Sequence, residues 1–146
     1  MKRLFSILAA ALLGLNLLAC PALAVDDSNT YTIFYEDGSY AIVSMNVNPS
    51  ARSNAAKDKA YTYYNPQGQR CFTYTIYGTF TYDGVTSRAD SCKGGSVIHR
   101  QGWDISTHSE YVSGNTAYGR ATFIGPNGES RAASLTLTCD KNGNVT

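Results

Sequence analysis

Charge is scarce in this chain. Asp, Glu, Lys and Arg make up 16% of its 146 residues, and 12 basic against 11 acidic residues leave a formal net charge of +1. A nucleic-acid binder normally carries a basic surplus, so that class is set aside. Histidine is limited to His99 and His108. Motifs with recognisable chemistry are missing as well. The sequence holds no Gly-x-Ser-x-Gly elbow, no His-Glu-x-x-His pair, no Cys-x-x-Cys and no phosphate-cradling glycine loop ahead of a helix. Beyond Val25 no window sustains a helical period. What remains is 43% hydrophobic and 12% aromatic, which argues against wholesale disorder and suffices for one domain core.

The first residues read as an address. Lys2 and Arg3 precede an uncharged stretch rich in Leu and Ala, and Ala22-Leu23-Ala24 leads directly into Val25, Asp26 and Asp27. A positive start, an apolar middle and an Ala-x-Ala exit describe a secretory signal peptide over residues 1–24, with a domain over 25–146. An uncleaved anchor is the competing reading, because 22 uncharged residues nominally span a bilayer; Asn16, Cys20 and Pro21 within the stretch weigh against it. Leu17-Leu18-Ala19-Cys20 also resembles a lipobox, in which Cys20 would be acylated and tether the protein to the membrane. Cleavage after Ala24 is preferred, since the residues around Cys20 fit that pattern poorly. It removes two basic residues and no acidic ones, leaving 122 residues with a net charge of −1. The mature form is then expected to lack a membrane span.

The remainder alternates with period two. Tyr31–Tyr35 and Tyr40–Met45 are rich in aromatic and β-branched residues and flank Asp37-Gly38, a strong hairpin signal. Asn46–Asp58 reads as a loop or crossover, and Ala60–Tyr64 as a strand ending at the Asn65-Pro66-Gln67-Gly68 turn. Arg70–Tyr82 is the longest strand, with Phe72, Tyr74, Ile76, Phe80 and Tyr82 on one face and Thr73, Thr75, Tyr77, Thr79 and Thr81 on the other. Gly78 interrupts the apolar face and suggests a bulge or bend where the strand changes sheet. Lys93-Gly94-Gly95-Ser96 reads as a loop between short extended segments. Thr116–Ile124 and Arg131–Cys139 complete the set on either side of the Gly125–Gly128 turn. About eight short strands at this spacing define an all-β fold, a single antiparallel β-sandwich of the immunoglobulin kind or similar.

Cys71, Cys92 and Cys139 remain after cleavage. Outside the cytosol two of them are expected to pair. Cys139 shares a face with Leu135 and Leu137, whereas Cys71 falls on the threonine face, so a Cys92–Cys139 disulfide is predicted, with Cys71 free. Three reduced thiols are the alternative. Asp140-Lys141-Asn142-Gly143-Asn144 fails as a calcium loop because its Gly is fourth and no twelfth residue exists, so no metal or cofactor is expected. Glu36, Glu110 and Glu129 are weighed as glycosidase carboxylates, but Glu36 and Glu129 lie beside turns, where acids are ordinarily just solvated. A Ser-His-Asp site could be assembled from remote residues, but His99 and His108 read first as ordinary surface or half-buried residues. The suggestive feature is aromatic: eleven tyrosines and one tryptophan, of which Tyr61, Tyr63, Tyr64 and Trp103 are the candidate ligand contacts.

Tyr61-Thr62-Tyr63-Tyr64, Gly78–Gly84, Ser113–Ala117 and Leu135–Asp140 follow one another in an order and spacing that resemble small exported β-sandwich proteins of Clostridia-type Gram-positive bacteria. The likeness covers about residues 60–146. It implies location and fold, supports the Cys92–Cys139 pairing, and brings no activity or catalytic residue with it. The expectation is a secreted or envelope-associated, non-enzymatic interaction module with an extracellular glycan or protein as partner. A small secreted hydrolase or inhibitor-like effector is the alternative.

Overall fold

A computed structural model of the chain describes residues 29–46 and 54–146. The expected leader over residues 1–24, with Cys20, lies outside the described residues. The described residues form eight strands and no helix: β1 (Thr30–Phe34), β2 (Tyr40–Asn46), β3 (Asn54–Tyr64), β4 (Arg70–Tyr82), β5 (Ser87–Ile98), β6 (Asp104–Ser113), β7 (Thr116–Ile124) and β8 (Ser130–Thr138). Strands β1 to β5 make one antiparallel sheet and β6 to β8 a second, and within each sheet every strand pairs with its neighbours in sequence. The two sheets pack as a β-sandwich. None of the described residues forms a helix long and apolar enough to cross a membrane.

The core divides unevenly between the sheets. Tyr61, Tyr63, Phe72, Tyr74, Ile76 and Phe80 project inward from the larger sheet, while the smaller one presents Ala117, Ala121, Phe123, Ala133, Leu135 and Leu137. Bulky side chains on one layer therefore meet mostly small ones on the other, which lets the layers interdigitate. At the centre the rings of Phe72 and Phe123 stack across the interface with centroids 3.8 Å apart. Burying a phenylalanine of this kind contributes about 1.5–3 kcal/mol.

Three turns at one end share a single design. The carbonyls of Tyr35, Asn65 and Gly125 accept from the amides of Gly38, Gly68 and Gly128, and the amides of the same three residues donate to the carbonyls of Ser39, Gln69 and Glu129. This is a three-residue loop closed by a residue in the left-handed region. Gly38 and Gly128 both have φ of 80°, a conformation disfavoured by a β-carbon.

Five expectations need correction. The segment read as a loop or crossover over Asn46–Asp58 does not change sheet: Asn54–Asp58 belongs to β3, which pairs with β2 in the same sheet with Asn46 opposite Asp58. Lys93-Gly94-Gly95-Ser96 is a continuous part of β5, because Gly94 faces the Glu110 side chain and a β-carbon there would overlap it. Gly78 is not a bulge, and β4 stays in one sheet throughout; Gly78 is small because the Phe80 ring lies over it and Ala117 sits opposite. The register shifts instead between Tyr63 and Tyr64, and on β5 near Asp90. The first shift leaves Cys71 without a cross-strand partner and turns it inward, so Cys71 and Phe72 are both fully buried. Lastly, the Cys92–Cys139 disulfide is absent: Cys71, Cys92 and Cys139 are all free. The Ser87 hydroxyl donates to the Cys139 carbonyl at 2.7 Å, and Cys92 lies five residues further along β5, roughly 15 Å away at strand spacing. A disulfide tolerates only about 7 Å between α-carbons. Each thiol instead donates to a carbonyl: Cys71 to Gln69, Cys92 to Tyr118, and Cys139 to Asp140.

Candidate binding cavity at the turn end

Because the chain runs up and down, the β1–β2, β3–β4, β5–β6 and β7–β8 connections gather at one end of the sandwich. They surround a cavity of about 380 Å³. Tyr63 and Trp103 form its floor, with the Phe72 ring packed against both at 5.2 and 5.1 Å. Its rim comes from the turns: Asp37, Asn65, Pro66, Gln67, Arg100, Pro126, Asn127, Glu129 and Arg131.

The rim is cross-braced. Arg131, from β8, ion-pairs with Asp37 on the β1–β2 turn and donates from Nε to the Tyr63 hydroxyl at 3.0 Å. Its guanidinium also lies 5.5 Å from the ring centres of both Tyr35 and Tyr63, a cation–π geometry. Arg100 donates to Gln69, linking the β5–β6 turn to the end of the β3–β4 turn. Prolines complete the bracing: Pro126 packs so closely on Gly102 that a β-carbon there would come within 2.8 Å, and Pro66 lies against Gly38. The opening is thus shaped before any ligand arrives.

The electrostatics are those of a fixed, mixed-charge mouth. Hydrogen bonds from the Ser39 hydroxyl and amide, with Arg131 adding to them, hold the Asp37 carboxyl below its ordinary range. The bond to Tyr63 and the neighbouring Asp37 carboxylate raise the Arg131 pKa, keeping it cationic. Glu129 Oε2 accepts from the Asn127 amide at 2.9 Å and so helps hold the turn. Arg, Asn and Gln side chains supply donors, the carboxylates and amide oxygens supply acceptors, and the aromatic and proline surfaces supply apolar contact. The lining contains no Ser, Cys or His.

The sequence-predicted aromatics divide. Tyr61, Tyr63 and Trp103 are buried core residues. Tyr61 spends its hydroxyl on Tyr35 at 2.6 Å, whereas Tyr63 and Trp103 reach the cavity from below. Tyr64 is half-buried on the opposite, outer face, in a ladder of Phe34, Tyr40, Tyr64 and Arg70. Tyr40 and Tyr64 stack at 4.8 Å with only 7° between their planes. Their faces cover each other and leave edges toward solvent, so the ladder is cross-strand packing rather than a sugar platform. Sequence reasoning missed Arg100, Arg131, Asp37 and the two prolines. The available signal was the repetition of Gly-closed turns with a polar or charged residue beside each.

Comparison with protein-family models, with curated proteins and with solved structures finds no match.

Proposed function

We propose that the protein is an exported interaction module that binds a glycan in the turn-end cavity. The observation that carries this reading is the cavity itself, preformed and braced by the Arg131–Asp37 pair, with an aromatic floor and a rim of amides, carboxylates and guanidinium groups. A volume of about 380 Å³ falls within the usual range of about 300–1,000 Å³ for small-ligand sites. Saccharide units present an apolar face and a ring of hydroxyls, and this combination of surfaces matches both. Leader and export go together: the Ala22-Leu23-Ala24 exit supports delivery to the envelope or medium, where glycan is the abundant polymer.

The test is a glycan array and an envelope-polymer pull-down, followed by titration of whichever ligand is captured. Arg100→Ala and Gln67→Ala remove rim groups on exposed turns. Each is expected to weaken binding about tenfold, the equivalent of one charge-assisted hydrogen bond. Unchanged affinity in both variants, or no retention on any polymer, overturns the reading.

A further inference from the structure

A second cluster lies on the side of the sandwich, where β5 and β6 diverge. At one end β5 is tied to the turn that follows β6, where the Ala89 amide donates to the Gly114 carbonyl at 2.9 Å. Toward the other end the two strands part around a cleft of about 180 Å³ lined by Tyr74, Gly94, Gly95, Ser96, Ile105 and His108. Behind His108 sits Glu110, two residues on and on the same inward face of β6. Its carboxylate lies 3.2 Å from His108 Nδ1 through either oxygen and accepts from the Tyr74 hydroxyl at 2.6 Å. The Glu110 side chain is 14% exposed, against 57% for His108.

An ionised carboxylate can only accept, so its contact with Nδ1 places the imidazole proton there and leaves Nε2 as the free, basic nitrogen. The fold makes room for this arrangement at two positions. A β-carbon on Gly94 would overlap the Glu110 carboxylate, and one on Gly119 would overlap Ile76 and crowd the Tyr74 hydroxyl. Ser96 is exposed and lines the same cleft as His108. Main-chain donors stand beside it. The His99 amide donates to the Cys71 carbonyl, which fixes the hydrogen-bonded pairs between β4 and β5 as Thr73↔Val97 and Thr75↔Gly95. By the antiparallel alternation the amides of Gly94 and Ser96 then point away from β4, toward the open edge.

We infer that this cleft is an acyl-hydrolase site, with Ser96 as nucleophile, His108 as general base and Glu110 as the residue that orients His108, acting on a short-chain ester. Ser96 Oγ bonds to the acyl carbon as its proton passes to His108 Nε2. The ester C–O bond then breaks, and the alcohol leaves with that proton. Water attacks the acyl-serine, gives its proton to His108 and releases the carboxylic acid, and the proton returns to Ser96 Oγ. The net reaction is ester plus water to acid plus alcohol. The Gly94 and Ser96 amides supply donors for the developing oxyanion. The small cleft limits the acyl group to a few carbons. This activity goes beyond the binding reading and stands apart from it, because Ser96 lies four residues from Arg100 on the cavity rim, roughly 13 Å along the chain.

The experiment treats the protein with a fluorophosphonate probe and, separately, with p-nitrophenyl acetate. The expected result is one probe adduct, on the peptide containing Ser96. Ser96→Ala abolishes it and lowers ester turnover by about 100-fold or more, and His108→Gln lowers turnover to a similar extent. Glu110→Gln is expected to retain the probe adduct at a slower rate and to displace the pH–rate profile, a readout that a purely structural carboxylate would not move. Ser96 and His108 are exposed, so their variants are checked for unchanged circular dichroism and decide the matter even if Glu110→Gln unfolds. Absence of labelling, or labelling and turnover that persist in Ser96→Ala, overturns the proposal. Glycan capture by Ser96→Ala at parental affinity leaves the binding reading standing on its own.

Discussion

Adjacent glycines on β5 answer to different neighbours. A β-carbon on Gly94 runs into the Glu110 carboxylate, whereas one on Gly95 meets nothing within 4 Å. Gly94→Ala is therefore expected to destabilise by about 1–3 kcal/mol, the usual result of overpacking. Gly95→Ala should be neutral or mildly stabilising, because removing a strand glycine recovers chain entropy. Thermal melts of the pair check the contrast, with roughly 3–5 °C expected per kcal/mol. Arg131 offers a second test. Its ion pair with the exposed Asp37 is screened by solvent and contributes little, but its guanidinium also covers Tyr35 and Tyr63. Urea unfolding of Arg131→Ala should show a loss of about 1–2 kcal/mol, and Arg131→Lys should recover little of it, since an ammonium neither stacks nor forks.

For whole elements, period-two alternation carried most of the reading. Arg70–Tyr82 and Thr116–Ile124 are strands with the boundaries read from the sequence, because one face of each is buried and the other is not. Lys93–Ser96 was illegible because the reason for its glycines sits across a cleft, on β6. Cys71 was assigned to the wrong face because one extra residue opposite Tyr63 and Tyr64 reverses the parity, and no local composition announces it. The cavity was legible only in parts: Tyr63 and Trp103 stood out as aromatics, whereas Arg100 and Arg131 became neighbours only once four turns met. Turn chemistry itself can be tested. Gly128 has φ of 80° and open space around it, so Gly128→Ala should cost about 1–2 kcal/mol from backbone strain alone, read from the shift in denaturation midpoint. The outer edge of β8 is also guarded, since the Lys59 ammonium donates to the Thr136 carbonyl at 3.1 Å. Lys59→Ala exposes that acceptor on an edge strand, and light scattering should record increased self-association.

At the level of the whole molecule, the shifted groups define a pH window. Turn hydrogen bonds lower the carboxyls of Asp37, Asp83 and Asp140 below the ordinary 3.8, and the Thr81 hydroxyl, donating from β4 to β5, does the same for Asp90. Their contribution is present above that value and fades as pH falls through the lowered ones. Burial raises the thiols of Cys71, Cys92 and Cys139 above 9.0, and the phenols of Tyr61 and Tyr74 above 10.0. The unfolded chain ionises these groups first, so their contribution is complete below about pH 9 and is lost as pH rises further. Desolvation lowers the Lys59 pKa and acts in the opposite sense, as a single group against five. Melting temperature against pH should show a plateau between about 4 and 9 with a fall on each side; a sharp maximum near neutrality would contradict this. The same burial makes the thiols poor nucleophiles, so alkylation should be slow in the native protein and should label Cys71, Cys92 and Cys139 after unfolding without reductant.

Strand pairing that never skips a neighbour has a consequence for how the molecule is assembled. In Greek-key sandwiches a distant return strand must arrive before either layer is complete. Here a nascent polypeptide, emerging amino end first, can zip five strands into their final register before the sixth has left the tunnel. The finished layer, with Phe72 and Tyr74 on its waiting surface, then acts as the template on which the last three strands condense.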